Sequence, residues 1–594
     1  MIAPMTKYSF ILLNGEQEGL LEKLQETGLV DITRSVKPVD GESADLFSGV
    51  ERRKAVIHAL ESIEFPEELQ PAPVDGDLTE AAEAALQRLA ELQEQLKAAM
   101  KEAAARQPWG DFSTEKLQAI ANAGVPVQFH ITPVKEFKPG WAEDYALQVV
   151  NELDGKVYYV VAGPDIMPDP IRPLKGNYDE AVRQVEEIQA DIDREKAILL
   201  TVKQRQDELE AESRKKLSAL DLYLANQAAV PAAENTLVTL VGYAPTESEE
   251  AVTAVCEAAG VYYIKENAQK EDNPPISYKN NWFTRQFEVL TDMYGRPAYD
   301  EFDPTPILGP FFLLFFAMCM GDAGYGILLV IIGWLLKKKV PSMAELGPLV
   351  MILGVGTFLV GIVLHTFFGI DIYAAEWVPQ GLKKFMISGT VAGYDAQMVL
   401  AVGVGVFHIC LAMVVKAICF TSRFGFAKSI STWGWTLLIV GSIITGGLAL
   451  LGVIDTPLVK IILIVLGIVS GLGIFILNDL HRNPLLNIGS GLWDTYNTAT
   501  GLMGDVLSYL RLYALGLAGG MLGNTFNYLA GMSLGMHVPG LNYLLFAFIL
   551  IIGHVLNLAL SCLGAFVHPL RLTFVEYFKN SGYEGTGRTY RPLK

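Results

Sequence analysis

From about residue 304 onward the chain is a succession of apolar runs of roughly 20 residues or more. A helix rises about 1.5 Å per residue, so each run reaches across a bilayer core about 30 Å thick. Within lipid only structures that satisfy their own backbone hydrogen bonds can cross, which predicts a helical polytopic domain. Nearly all the charge lies before residue 304. The 594 residues carry 65 acidic against 46 basic side chains while being 51% hydrophobic, a combination that suggests two unlike halves. We expect a cytoplasmic arm over residues 1–303 and a transmembrane domain over 304–594. Met1 to Gly19 has one early lysine and an apolar core only from Phe10 to Leu13, too short for a signal peptide.

Several function classes drop out. The net charge of -19 and the lack of a long Lys/Arg cluster argue against nucleic-acid binding. Cys256, Cys319, Cys410, Cys419 and Cys562 lack CxxC or metal-ligand spacing and read as packing residues. No GxxxxGK[ST] loop occurs, and the pairs Gly354/Gly356, Gly403/Gly405 and Gly471/Gly473 lie in apolar runs, where small residues let helices approach closely. No cofactor and no metal are expected.

The first half alternates short α/β units with longer helices. Lys7 to Leu13, Gly15 to Thr27 and Leu29 to Thr33 read as strand, helix and strand. The same logic reads Val125 to Thr132, Trp141 to Leu153 and Lys156 to Val161, and again Thr236 to Tyr243, Ser248 to Ala259 and Val261 to Lys265. Between them Leu78, Ala82, Ala85, Leu89, Leu92, Leu96 and Ala99 form an a/d seam over about 78–106. A second seam over about 178–224 runs through Val185, Ile188, Ile192, Leu199, Val202, Leu209 and Leu220, interrupted by Glu195, Gln206, Ser213 and Lys216. Each seam needs a partner, so an antiparallel coiled-coil stalk within one chain is expected, its second helix spanning roughly 70 Å.

The apolar runs are 307–336, 347–368, 397–419, 431–453 and 459–477, followed by the long 489–532 and 541–578. Lys337 to Lys339, Arg423 with Lys428, His481 with Arg482, and Arg588, Arg591 and Lys594 fall in alternate links and can share the cytoplasmic side. That arrangement requires a break in the first run, placed at Gly321-Asp-Ala-Gly-Tyr-Gly326, and gives eight segments with both ends cytoplasmic.

The last two runs carry charge at bilayer depth. Arg511 lies in the middle of one and Arg571 in the other. An arginine there costs roughly 2.5–3.5 kcal/mol on insertion scales and cannot shed its proton, so it marks function by default. His554, Asn557, Ser561, Gly564, His568 and Arg571 recur at spacings of three and four and share one helix face. That face suits either a polar helix seam or a hydrated path, and histidine suits proton relay. Tyr509, Leu512, Gly516, Gly519, Gly523 and Asn527 make a small-residue stripe for close packing, with Arg511, Ala514, Ala518 and Met521 about 100° to its side. The membrane carboxylates are Asp322, Asp494, Asp505 and Glu576, and Asp505 lies about 120° round the helix from Arg511. Arg511 therefore calls for a carboxylate from another protein.

The stretches Gly504-Asp-Val-Leu-Ser-Tyr-Leu-Arg-Leu-Tyr-Ala-Leu-Gly-Leu-Ala518, Gly553-His-Val-Leu-Asn557, Phe566-Val-His-Pro-Leu-Arg-Leu-Thr-Phe-Val-Glu-Tyr-Phe578 and Pro310 to Gly326 resemble the stator membrane subunit of V-type/A-type rotary ATPases, the subunit a or subunit I family. Asn273-Pro-Pro to Tyr294-Gly and Asp303-Pro-Thr-Pro306 resemble its approach to the membrane. The resemblance covers 270–594 by motif and the rest by architecture. It implies two α/β lobes on a coiled-coil stalk, eight membrane segments with the last two long and tilted, and a non-catalytic role in the prokaryotic plasma membrane. The implied partners are a rotor ring of proteolipid subunits, peripheral-stalk subunits and a central-stalk adaptor. Arg511 and Arg571 would act on the ring carboxylate and separate two half-channels. His554, Asn557, Ser561 and His568 would line one and Glu576 the other, with Asp505 and Ser508 as further half-channel candidates. Two departures stand out. Ser561 occupies a position where some relatives carry an acidic residue, and 361–369 lacks a glutamate common in relatives.

A reading from another class is a self-contained secondary ion or solute transporter with a regulatory arm. Inverted repeats would favour it, and none is seen. A membrane-anchored scaffold leaves the two arginines unexplained.

Overall fold

The structure is a computed structural model that describes the chain except residues 36, 67, 75, 164–169, 172–175, 233–235, 341–342, 375, 377, 392, 451, 478–483 and 536–539. His481 and Arg482 lie outside the described residues. In chain order the first elements are β1 (Met5–Leu13), α1 (Gln17–Thr27), β2 (Asp31–Ile32), α2 (Gly41–Ser62), α3 (Leu78–Arg106), α4 (Thr114–Asn122), β3 (Val127–Pro133), α5 (Trp141–Asp144), β4 (Leu147–Leu153) and β5 (Lys156–Ala162). Then come α6 (Tyr178–Gln204), α7 (Gln206–Gln227), β6 (Val230–Ala232), β7 (Leu237–Pro245), α8 (Glu249–Ala259), β8 (Tyr262–Asn267), β9 (Pro275–Ile276), α9 (Trp282–Arg285) and α10 (Glu288–Tyr294). The rest is almost wholly helical: α11 (Thr305–Met320), α12 (Ala323–Lys339), α13 (Gly347–Val363), the hairpins β10 (Thr366–Phe367) with β11 (Ile370–Asp371) and β12 (Thr390–Val391) with β13 (Tyr394–Asp395), and α14 (Gln380–Lys383). The series ends with α15 (Ala396–Phe424), α16 (Phe426–Leu450), α17 (Thr456–Gly471), α18 (Pro484–Ser508), α19 (Leu510–Ser533), α20 (Leu541–Arg571), α21 (Phe578–Ser581) and β14 (Arg588–Thr589).

The chain divides into two compact units, one formed mainly of residues 33–238 and the other of 1–12, 27–32 and 239–592. In the first, the expected seams meet. Leu78, Ala82, Ala85 and Leu89 of α3 share one core cluster with Ile192, Leu199 and Val202 of α6 and Leu209 of α7. The sense is antiparallel. Asn177 at the start of α6 reaches Phe112 beyond the end of α3, Arg88 meets Glu195, and Ala72, before α3, bonds to Ala197 and Thr201. Leu89→Ala should therefore lower this unit's stability by about 2–4 kcal/mol by emptying a filled site, readable as a fall in its thermal unfolding midpoint.

Three readings change here. The second long helix is two, broken at Arg205, with α6 packed on α3 and α7 on α2. Helix α2 was not anticipated. Asp40 and Ser43 form a capping box at its start, and Val50, Arg53, Val56 and Leu60 are its buried face. Trp141 to Leu153 is one helical turn followed by β4, because Asp154 and Gly155 take positive φ and close a hairpin onto β5. The sheet order is β3-β5-β4, antiparallel throughout.

In the second unit β2, β7, β1 and β8 form a sheet, and the C-terminal β14 pairs in parallel with β9. Among the described residues five helices are long and apolar enough to cross a membrane. The first apolar run breaks at the expected place. Gly321 adopts φ +61 and Asp322 caps α12. Along α13, Gly347 faces Lys337 and Gly361 faces Ala323, so α12 and α13 are antiparallel, while Gly356 faces Leu313 of α11. Leu313 and residues 326–330 thus lie beside the same level of α13, and the chain reverses at Gly321.

This reversal returns Lys337 to the level of Thr305, the near end. Arg423 joins that end through Asp300, bonded at 2.7 Å and 3.2 Å, with Lys270 on the same carboxylate. Burial raises the Asp300 pKa, but these two cations outweigh it and hold the group below the usual carboxylate range. Arg588 reaches Asp31, whose carboxylate also accepts from the Arg591 backbone, on the sheet side. At the far end α13 stops at Val363, earlier than expected. His365 and Phe368 take positive φ in the turn that forms the β10–β11 hairpin, and a Cβ on Gly369 would fall 2.5 Å from the Asn524 nitrogen.

Candidate functional site

The long run expected at 489–532 is two helices, α18 and α19, separated at Tyr509. Tyr509 is fully buried. Its hydroxyl bonds to His408 Nδ1 at 2.9 Å, and His408 stacks on Tyr577 at 4.6 Å. Gly405 is the seat for this ring, since a Cβ there would come 2.3 Å from it. The break thus holds the start of α19, and with it Arg511, against α15 and the end of the last helix.

The small-residue stripe does pack closely. A Cβ on Gly516 would lie 2.6 Å from the Met318 carbonyl, Gly519 faces Ser561, and Gly523 faces Gly369 and Asn557. Helices α19 and α20 are therefore neighbours, and the predicted polar row on α20 meets this stripe. His554 and Asn557 are buried in a bonded chain. Asn527 donates to the Phe368 carbonyl at 2.7 Å, which leaves its oxygen to accept from His554 Nε2 at 3.0 Å. The Tyr325 hydroxyl then donates to His554 Nδ1 at 2.7 Å and accepts from Asn557 at 2.8 Å, while Asn557 also donates to the Gly519 carbonyl. Ser561 donates to Asn557 Oδ1 at 3.3 Å. Farther along, His568 lies within electrostatic reach of both Arg511 and Arg571.

Asp322 is the other fixed charge near this chain. It is 1% exposed and takes four backbone N–H bonds, from Gly324, Tyr325, Phe368 and Gly369, at 2.7–3.2 Å. It ties the start of α12 to the β10–β11 turn.

Two cavities open at opposite ends of this assembly. The far cavity, about 270 Å³, is lined by His365, Asp371, Asp395, Gln397 and the Gly516–Gly520 side of α19. The near cavity, about 340 Å³, is lined by Lys416, Asp494, Asp505, Lys579 and Asn580. Arg511 lies along the chain between Asp505, which lines one, and Leu512 to Asn524, which line the other. Its Nη1 is buried with no hydrogen-bond partner, and it makes no ion pair among the described residues. Arg571 is exposed.

The expected residues sort as follows. Asp505, Ser508 and Glu576 come together at the near end. Asn580 donates to Asp505 Oδ2 at 2.8 Å and to the Glu576 carbonyl at 2.6 Å, and Ser508 bonds Glu576. Of the half-channel candidates only Asp505 lines either cavity; His554, Asn557, Ser561, His568, Glu576 and Ser508 border neither. After Arg571 the helix widens into a π-helical turn, Leu572–Tyr577, a device frequent at functional sites, which sets the direction of Glu576. Sequence reasoning passed over His408 and Lys416, although each interrupts the apolar 397–419 run and could have been flagged for that.

The sequence model of the V-type ATPase 116kDa subunit family matches residues 165–368. The A-type ATP synthase subunit I of Methanocaldococcus jannaschii is 31% identical over 360 residues, 56% of this chain and 50% of that protein. The chain thus aligns with about half the length of this relative and of similar archaeal ones. Over its whole length it matches V-type ATP synthase subunit I 1 of Treponema pallidum at 25% identity, with all of that protein covered, and subunit I of Borreliella burgdorferi at 24%, with 99% covered. Together with the membrane helices that carry Arg511 and Arg571, these matches make the chain similar over about a third of its length to the V-type ATPase 116kDa subunit family, and over part or all of its length to proteins named subunit I of V-type and A-type ATP synthases.

Proposed function

We propose that the chain is the non-catalytic stator subunit of a V/A-type rotary ATPase or synthase, forming two ion half-channels against a rotor ring. The observation that carries this is Arg511, a permanent cation with a buried nitrogen unpartnered among the described residues, on the helix between two cavities that open at opposite ends. A fixed cation lowers the pKa of an approaching buried carboxylate and favours release of its ion, while its charge blocks a direct leak. Ions would then have to travel by way of a rotor carboxylate. Ala514, Ala518 and Met521, on the same side of α19 as Arg511, are exposed, as a face met by another subunit would be.

In this reading Arg571 assists Arg511, and Asp505 lines the near route with Glu576 and Ser508 bonded together beside it. The row from His554 to His568 packs behind the α19 stripe, whose Gly516–Gly520 side lines the other. Residues 1–303 form the cytoplasmic arm that contacts the peripheral stalks and the central-stalk adaptor, the near end faces the cytoplasm, and the membrane is the prokaryotic plasma membrane. The near end's Lys337–Lys339, Arg423 and Arg588 support that orientation.

The hydrated-row component has its own test. In a background lacking Cys562, Ser561→Cys should react with small water-soluble thiol reagents about tenfold faster than Leu560→Cys, whose side chain the helical period turns to the outside. Equal slow labelling would leave the row as a dry seam. Coupled pumping by an Arg511→Ala complex tests the whole reading.

A further inference from the structure

We propose that residues 583–591, which follow the last membrane helix, are a strap that keeps the channel helices from swivelling against the β2-β7-β1-β8 sheet when the motor turns under load, with Glu301 as its positioning residue; the proposal rests on the stator reading above. The sheet and the membrane helices are joined by one covalent link, residues 268–304. A single link is a hinge, because a few backbone torsions can absorb a large rotation. The tail supplies a second link. Its β14 pairs in parallel with β9 of the first link and it continues to the sheet, where the Tyr590 hydroxyl donates to the Leu29 carbonyl, the Arg591 N–H donates to Asp31 Oδ2 at 3.0 Å and the Arg588 guanidinium lies over the Tyr243 ring.

Glu301 fixes the tail at its membrane end. Its side chain is buried, and its carboxylate accepts from the Ala298 N–H at 2.8 Å in the first link and from the Glu584 N–H at 2.9 Å and the Gly585 N–H at 3.4 Å in the tail. Arg423, in the last turn of α15, stands 3.8 Å away. One carboxylate therefore gathers both links and α15, the helix whose His408 receives Tyr509 and with it the start of α19. The tail itself leaves from α21, directly after the segment with Arg571 and Glu576. Farther on, Gly587 passes so close to the first link that a Cβ there would run into the Pro297 carbonyl. An opposing ion gradient resists rotation, and the reaction falls on the stator. A displacement of about 1 Å between reacting groups can cost on the order of a hundredfold in rate. With the strap intact, Arg511 and Arg571 hold their distance from the ring under load; without it they do so only at rest.

The test uses the complete ATPase in liposomes, with ATP-driven ion uptake and ATP hydrolysis read together, first with the membrane potential dissipated and then against a clamped potential that opposes pumping. Wild type should keep its ratio of ions moved to ATP hydrolysed in both states. Glu301→Gln and Gly587→Val should match that ratio within about 1.5-fold without the load and fall roughly threefold below it against the load. Arg588→Gln combined with Tyr590→Phe cuts the side-chain ties to the sheet without a clash, and should show the same load dependence at about twofold where the other two do not assemble. A ratio lowered equally with and without the load, which is what a misfolded channel gives, or an unchanged ratio under load in an assembled variant, would overturn the proposal. Arg511→Ala in the same liposomes separates the two levels. Normal pumping by that variant removes the stator reading itself, while strap variants insensitive to load beside a silent Arg511→Ala remove only the strap.

Discussion

Arg511→Ala should abolish coupled ion transport while leaving the complex assembled, because the residue's buried nitrogen has no partner among the described residues whose loss would destabilise the fold. A functional charge without structural partners has this signature. Arg511→Lys should also fail or be severely impaired, since a desolvated lysine can give up its proton and lacks the planar fork. A variant that loses the barrier but keeps the cavities is expected to hydrolyse ATP without building a gradient. The measurement is ATP-driven acidification against ATP hydrolysis on the same preparation, and near-normal pumping by the alanine variant would remove Arg511 from the mechanism.

Asp322→Ala should act oppositely, destroying the fold locally before any question of transport arises. Asp322 is a buried carboxylate with no ion-pair partner among the described residues, held by the N–H groups at the start of α12 and by those of Phe368 and Gly369. Removing it leaves four donors without an acceptor, a loss of about 3–5 kcal/mol. The same turn receives Asn527 through the Phe368 carbonyl, so the His554 chain should loosen with it. Asp322→Asn presents an NH₂ group to some of these donors and should fall between. Yield of assembled complex and its thermal inactivation temperature report the effect, and an alanine variant as heat-stable as wild type would show that the turn is held by packing alone.

What the sequence disclosed and what it hid follow physical lines. Periodicity exposed the seams of α3 and α6 because burial along a helix repeats at every turn, and the same rule put His554 and Asn557 on a buried face while Arg571, assigned to the same row, is exposed. Composition located the reversal at Gly321, where a left-handed φ and a helix-capping aspartate leave little alternative. Breaks set by distant partners were hidden. Tyr509 separates α18 from α19 because His408, Gly405 and Tyr577 receive it, and nothing local to 505–513 records those contacts. The Arg205 break and the π-helical turn at Leu572–Tyr577 are of the same kind. The Asp154–Gly155 hairpin was a local signal outweighed by the helix assigned to Trp141–Leu153, and the capping box at Asp40 was one left unread. The polar row shows the limit for function: spacing placed its members on one face, but only the structure shows that His554 and Asn557 spend their hydrogen bonds on Tyr325, Asn527 and Gly519.

The claim that Arg511 faces a rotor carboxylate is open to a direct distance measurement. Ala514 lies one turn beyond Arg511 on the same exposed side of α19. In the assembled ATPase, a cysteine at Ala514 paired with one beside the ring subunit's mid-membrane carboxylate should form a disulfide under mild oxidation, halting ATP-driven pumping until a reductant restores it. A control cysteine at Leu556, on the outward face of α20, should form none. Failure of the Ala514 pair to cross-link in an actively pumping complex, or a cross-link that leaves rotation-coupled pumping untouched, would contradict the account.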